Sequence, residues 1–130
     1  MIRIVVAGEP IPAARPRFSG RMCYQPTRNV EYRQSVQIAA RQAMAGRSPM
    51  TGSLCAGVKL YRRYRPTARN YGDVDNHLKA IFDGLNQLVF VDDSQIVKCV
   101  VEKFTDKDNP RVEIEIKSVR RRADEKLSKT

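Results

Sequence analysis

Apolar residues alternate with polar ones in three stretches of the chain and recur at helical spacing in two others. Ile2, Ile4 and Val6 set a period of two over 2–7, which predicts a strand. Leu54, Ala56, Val58 and Leu60 do the same over 54–64, with Lys59 and Tyr61 on the opposite face. Residues 111–117 alternate most sharply, Val112, Ile114 and Ile116 against Glu113, Glu115 and Lys117, so one face is buried and the other wet. A further strand is predicted over 96–104. It is joined to the last one by TDKDNP, whose Asp106, Asp108, Asn109 and Pro110 are turn-forming residues. Tyr32, Val36, Ala39, Ala40 and Ala43 form one apolar stripe and predict a helix over 29–45, capped by Asn29 and stopped by Gly46 and Pro49. Leu78, Ile81, Phe82, Leu85 and Leu88 predict a second helix over 75–88, with Asp73 or Asp75 as its cap. The order β-α-β-α-β-β implies an α/β fold of the two-layer α+β kind, a mixed sheet with helices packed on one face. Residues 1–130 read as a single domain without internal repeats.

Two segments fall outside that pattern. Residues 8–28 carry prolines at 10, 12, 16 and 26 and glycines at 8 and 20, which argue against regular structure through much of the segment. A connection this long in a small domain is often functional. This Pro-rich arm holds Arg15, Arg17, Arg21 and Arg28 with Phe18 and Tyr24 between them, a composition suited to a nucleic-acid backbone. The tail 118–130 is charged and nearly without core-forming residues.

Charge narrows the partner. With 24 basic and 14 acidic residues the formal net charge is +10, which favours a polyanion over an acidic protein ligand. Lys59, Arg62, Arg63, Arg65 and Arg69 precede the acidic motif and are interleaved with Tyr61, Tyr64 and Tyr71, the composition of a phosphate-binding rim. Cys23, Cys55 and Cys99 form no CxxC pair, so neither a disulfide framework nor a zinc knuckle is indicated. No stretch approaches the roughly 20 apolar residues of a membrane span, and the apolar run at the N-terminus is too short for a signal peptide. A cytoplasmic protein with no membrane partner is the resulting expectation.

The candidate chemistry lies in Asp73-Val74-Asp75-Asn76, at the passage from loop into the second helix. In extended backbone, side chains two apart point the same way, so Asp73 and Asp75 can converge on a hard divalent cation such as Mg²⁺. Lys79 lies one helical turn beyond Asp75, where it can reach a phosphoryl oxygen or form an ion pair with Asp75. His77 is the only histidine and is not expected to be a ligand or base. Asp92 and Asp93 follow the helix at its far end, about 21 Å away if it is straight. Asp93 then returns through the following segment or serves a second subunit's site. Leu88, Val89, Phe90 and Val91 precede it and are expected to pack near a subunit boundary, or else to close the monomer core. A weaker reading pairs Asp93 with Glu115 and Lys117 as a D…ExK nuclease pattern; the wet face of a strand explains those two residues better.

The segment DVDNHLKAIFDGLNQLVFVDDSQI, Asp73 to Ile96, resembles the RusA family of Holliday junction resolvases. Asp73, Asp75, Asn76, Lys79, Phe82, Asp83, Leu85, Asp92, Asp93, Gln95 and Ile96 follow the family pattern in order. The opening strand and basic arm resemble the family more loosely, with Ile11-Pro12-Ala13-Ala14-Arg15 departing from its usual arm motif. The resemblance implies a homodimeric endonuclease that binds four-way DNA junctions and makes paired symmetric nicks with Mg²⁺ or Mn²⁺. It implies Asp73, Asp75 and Asp93 as metal-binding catalytic residues and Lys79 as the catalytic lysine. Arg15, Arg17, Arg62, Arg63, Arg65 and Arg69 are the candidate DNA contacts. The competing class is a basic nucleic-acid-binding protein without catalysis, in which the aspartates are helix caps and surface groups.

Overall fold

In a computed structural model, residues 1–14, 17–19, 22–24 and 27–119 are described. The three alternating stretches become β1 (Ile2–Ala7), β4 (Leu54–Arg62) and β6 (Arg111–Ser118), and the remaining long strand is β5 (Ile96–Thr105). They form one mixed sheet in the order β1-β6-β4-β5. β6 runs antiparallel to both β1 and β4, whereas β4 and β5 are parallel. A parallel pair needs a long crossover, and α2 (Val74–Leu85) lies within it.

The alternation decides which face is covered. Ile2, Ile4 and Val6, Leu54 to Leu60 at every second position, and Val112, Ile114 and Ile116 are all buried. α1 (Thr27–Met44) contributes Tyr32, Val36, Ala40 and Met44 to the same core, and α2 contributes Ile81 and Leu85. The other face carries Arg3, Lys59, Glu113 and Glu115, with Arg3 paired to Glu115 across the β1–β6 register. Tyr61 stacks on Phe104 there, and the Arg111 guanidinium lies 3.8 Å from the Tyr61 ring centroid.

The helices pack closely at Gly84. A methyl group there would sit 2.6 Å from Val36 Cγ1 and 2.7 Å from its Cβ, and a β-branched side chain cannot swing away. Gly84→Ala should therefore lower stability by up to about 2 kcal/mol, an overpacking penalty of up to about 3 kcal/mol less about 1 kcal/mol of helix propensity gained. The midpoint of urea unfolding measures this; an unchanged or raised midpoint would contradict the packing.

Several boundaries differ from the periodicity, each for a local reason. The arm is not wholly irregular: β2 (Arg17–Ser19) and β3 (Met22–Tyr24) pair as a short antiparallel hairpin between the prolines. α1 starts at Thr27, so Asn29 is inside the helix rather than its cap; its Nδ2 donates to the Pro12 carbonyl at 2.9 Å. α2 ends at Leu85, because Val89 and Phe90 turn into the core and Phe90 bridges to Met50 and Asn86. Val89 and Phe90 close the monomer core, and only Val91 of the pair's neighbours is largely exposed.

Candidate active site

The site begins with a turn at the C-terminal end of β4. Beyond Arg62 the chain crosses into a 3-10 turn, Arg69–Tyr71, and reaches α2 through Gly72 and Asp73. Tyr71 is fully buried, and its hydroxyl bridges the carbonyls of Leu60 (2.8 Å) and Phe104 (2.7 Å) and accepts the Phe104 N–H. The turn is thereby tied to the ends of β4 and β5 together. Gly72 has φ +95°, and a Cβ there would lie 2.9 Å from Pro12 Cγ and 3.0 Å from His77 Nε2. Only glycine fits both the backbone and the space.

Arg62 occupies the space beneath this turn. It was expected to contact DNA, but it is 6% exposed, which corrects that assignment. Its Nη1 donates to the Tyr71 carbonyl at 2.6 Å and to the Asn70 carbonyl at 3.3 Å, and its Nε is paired with Glu9. A buried guanidinium so committed has no donor fork left for phosphate. His77 approaches the same carbonyl at 2.7 Å through Nε2. Burial is the main influence on its imidazole, pushing the pKa down to about 4, so the ring is neutral near pH 7 and donates to Tyr71 from Nε2–H. Glu9, Arg62, Tyr71 and His77 together hold the segment that presents the aspartates.

Asp73 is the N-cap residue of α2 by position, yet its carboxylate makes no capping hydrogen bond. Its carbonyl accepts the His77 N–H at 3.1 Å, as a cap carbonyl does, while the side chain stays exposed. Asp75, in the first turn, is exposed as well. Both carboxylates are therefore available as hard oxygen donors near a helix N-terminus, where anionic groups are favoured. Lys79 is exposed on the same helix and pairs with Asp83 at 3.5 Å, so the ion pair with Asp75 is not formed. The arm passes beside this turn: the Ala13 N–H donates to the Asn76 carbonyl at 2.9 Å. Arg63, Arg65 and Arg69 are exposed around the approach, Arg63 with a 3.3 Å contact to Glu9. Arg15 and the tail from residue 120 lie outside the described residues, and for Arg17 only the backbone is described.

Asp93 is elsewhere. In the parallel register Leu54 pairs with Ile96 and Arg62 with Thr105. Asp93 opens the 3-10 turn Asp93–Gln95 that leads into Ile96, at the opposite end of the sheet from Tyr71 and Asp73. Eight residues of strand separate the ends, roughly 27 Å at the usual rise. Among the described residues no three His, Cys, Asp or Glu side chains lie close enough to hold one metal ion. Asp92 has a clear local role. Its carboxylate accepts the Ser94 N–H at 2.9 Å; the Ser94 hydroxyl first and this N–H second hold its pKa below the usual range, and Gln95 completes a capping box. The Gln95 carboxamide oxygen accepts from Val91 and Asp92, and its nitrogen donates to the carbonyls of Met50 and Gly52. Asp92 and Gln95 thus build the turn, and Asp93 projects from it uncommitted.

The model of the family described as Endodeoxyribonuclease RusA matches residues 7–117, which spans both acidic ends and strands β4 and β5 between them. The chain belongs to the RusA family. It is also similar to "Uncharacterized protein YqaN" of Bacillus subtilis (strain 168), at 33% identity, over 91% of this chain and 96% of that protein. As a RusA protein it is a nuclease of the endodeoxyribonuclease class, and no helix among its described residues is long and apolar enough to cross a membrane. The RusA signature divides along physical lines. Asp73, Asp75, Lys79 and Asp93 are exposed, whereas Leu85 is buried and Asp92 and Gln95 are spent on a turn.

Glu9, Tyr71, Gly72 and His77 were not singled out by sequence reasoning as site-forming residues. Glu9 is the lone acid of an otherwise basic arm, and His77 stands one turn before Ile81 on the buried face of α2. Those two signals could have found them.

Proposed function

We propose that this RusA protein is a Mg²⁺-dependent, structure-selective endodeoxyribonuclease that resolves four-way DNA junctions as a homodimer by paired symmetric nicks. The observation that carries the chemistry is the pair of exposed, uncapped carboxylates of Asp73 and Asp75 beside a rim of exposed arginines. Two carboxylates at a helix start suit a hard cation, for which Mn²⁺ can substitute. When bound, that cation supplies Lewis acidity, lowering the pKa of the attacking water and offsetting charge on the phosphoryl oxygens.

The chain's own residues do the rest. Arg63, Arg65 and Arg69 attract the DNA backbone and seat it against the N-terminus of α2. Lys79 releases Asp83 and directs its ammonium to the phosphoryl group as negative charge grows there. Asp93 completes the carboxylate set from a second subunit, because its own lies a strand's length from Asp73. A roughly twofold substrate with two opposed scissile strands suits a C2 dimer with two such sites.

Calorimetric titration of the metal-free protein with Mn²⁺ tests the reading. A saturable site that is lost in Asp73→Asn is expected. A basic binding module without catalysis would give no saturable heat, and that result would favour the non-catalytic alternative.

A further inference from the structure

Asp73 makes no capping hydrogen bond and Asp75 projects into solvent, so the spacing of their carboxylates is set by the backbone that runs from Tyr71 into α2. One peptide group fixes that backbone. The Tyr71 carbonyl accepts from Arg62 Nη1 at 2.6 Å and from His77 Nε2 at 2.7 Å, and Arg62 Nη1 also reaches the Asn70 carbonyl at 3.3 Å. The Arg62 guanidinium lies 4.9 Å from the Tyr64 ring centroid and 5.7 Å from that of Tyr71. Its charge is offset by Glu9, whose side chain is only 18% exposed.

A buried ion pair is a poor source of stability, because apolar side chains of the same volume avoid its desolvation cost. What they lack is a donor fork that grips consecutive carbonyls, and a buried fork keeps its aim only while a carboxylate opposes it. Glu9 belongs to the arm, and the arm is fastened to the aspartate turn again just beyond it. Pro12 fills the space over Gly72, where a Cβ would lie 2.9 Å from Pro12 Cγ. The Pro12 carbonyl accepts from Asn29 of α1, and the Ala13 N–H donates to the Asn76 carbonyl, each at 2.9 Å. The second oxygen of Glu9 accepts from Arg63, an exposed arginine of the rim, at 3.3 Å. One carboxylate thus joins the arm, the rim and the guanidinium that holds the turn.

We propose that Glu9 is a positioning residue of the nuclease site. It aims Arg62 at the Tyr71 and Asn70 carbonyls and thereby couples the placement of the arm to the spacing of the Asp73 and Asp75 carboxylates. A shift of residues 8–14 is passed through Arg62, Pro12 and Ala13 to the start of α2, where it alters cation binding. The inference rests on the metal-dependent nuclease reading and adds a residue that serves it without touching substrate or cation.

Glu9→Gln tests it. The amide keeps the length of the side chain and an oxygen for Arg62, and drops the charge that fixes the guanidinium. In a variant with unchanged far-UV circular dichroism, single-turnover cleavage at saturating junction and Mg²⁺ should slow by roughly 10–100-fold, the scale of a small misplacement at a reacting centre. Mn²⁺ affinity in calorimetry should weaken with it, whereas junction affinity should be kept or tightened, since a negative charge is lost beside the rim. Wild-type rate and Mn²⁺ affinity in the folded variant, or equal losses of rate and junction affinity, would overturn the role of Glu9 and leave the nuclease reading standing. A wild type with neither cleavage nor a saturable Mn²⁺ site would overturn both. Should the variant unfold, amide exchange of the wild type decides. Coupling between two places is reciprocal, so Mg²⁺ should slow the Ala13 amide together with the His77 amide, which bonds the Asp73 carbonyl. Slowing of His77 alone, or of neither, would overturn the proposal.

Discussion

Asp75→Asn is expected to lower four-way-junction cleavage by roughly 10²–10³ or more, the scale of losing one preorganised charge-handling group, while leaving junction binding unchanged or tighter. The two effects have opposite signs for one reason. The substitution keeps the shape of the side chain and removes a negative charge. A cation site loses a ligand charge, whereas a chain of net charge +10 becomes more attractive to DNA. The residue is exposed, so the fold should not register the change. A purely structural Asp75 would give the reverse result, with cleavage and binding altered little or in parallel. Cleavage within about twofold of wild type at saturating Mg²⁺ would remove Asp75 from the catalytic set.

The second large effect comes from mixing two inactive proteins. Asp75→Asn and Asp93→Asn are each expected to be inactive alone. When they are refolded together, a mixed dimer pairs the intact Asp73 and Asp75 of one subunit with the intact Asp93 of the other. Random assortment makes half of the dimers mixed, each with one complete site, so about a quarter of wild-type sites return. Their product should be a singly nicked junction rather than a resolved one, because the second site of each mixed dimer is doubly impaired. If Asp93 served its own subunit, no combination of the two chains would contain a complete site, and mixing would restore nothing. Full-length cleavage patterns on a denaturing gel separate these outcomes.

Much of the fold was legible because its strands are half-buried. Where one face meets a core and the other meets water, the side-chain period of two is written directly into the chain, as in β1, β4 and β6. β5 was less regular because it is an edge, with apolar residues exposed on it. The strand order was not legible, since nothing in a local pattern records that β6 returns between β1 and β4. In the candidate site, the spacing of Asp73, Asp75 and Lys79 could be read from strand and helix periods. The fate of Arg62 could not. It looked like one arginine of a basic run, and only the fold brings Glu9, 53 positions away, to its guanidinium. The same holds for Asp93, whose distance from Asp73 follows from a parallel crossover rather than from the length of α2 alone.

The most direct test is cleavage of a mobile-core-free four-way junction beside a fork and a linear duplex of the same sequence, with Mg²⁺ and with chelator. Paired nicks at symmetry-related positions of the junction are predicted, dependent on the cation, with the linear duplex left intact. Equal cutting of all three substrates, undiminished cutting in chelator, or saturable junction binding without any cutting would contradict it.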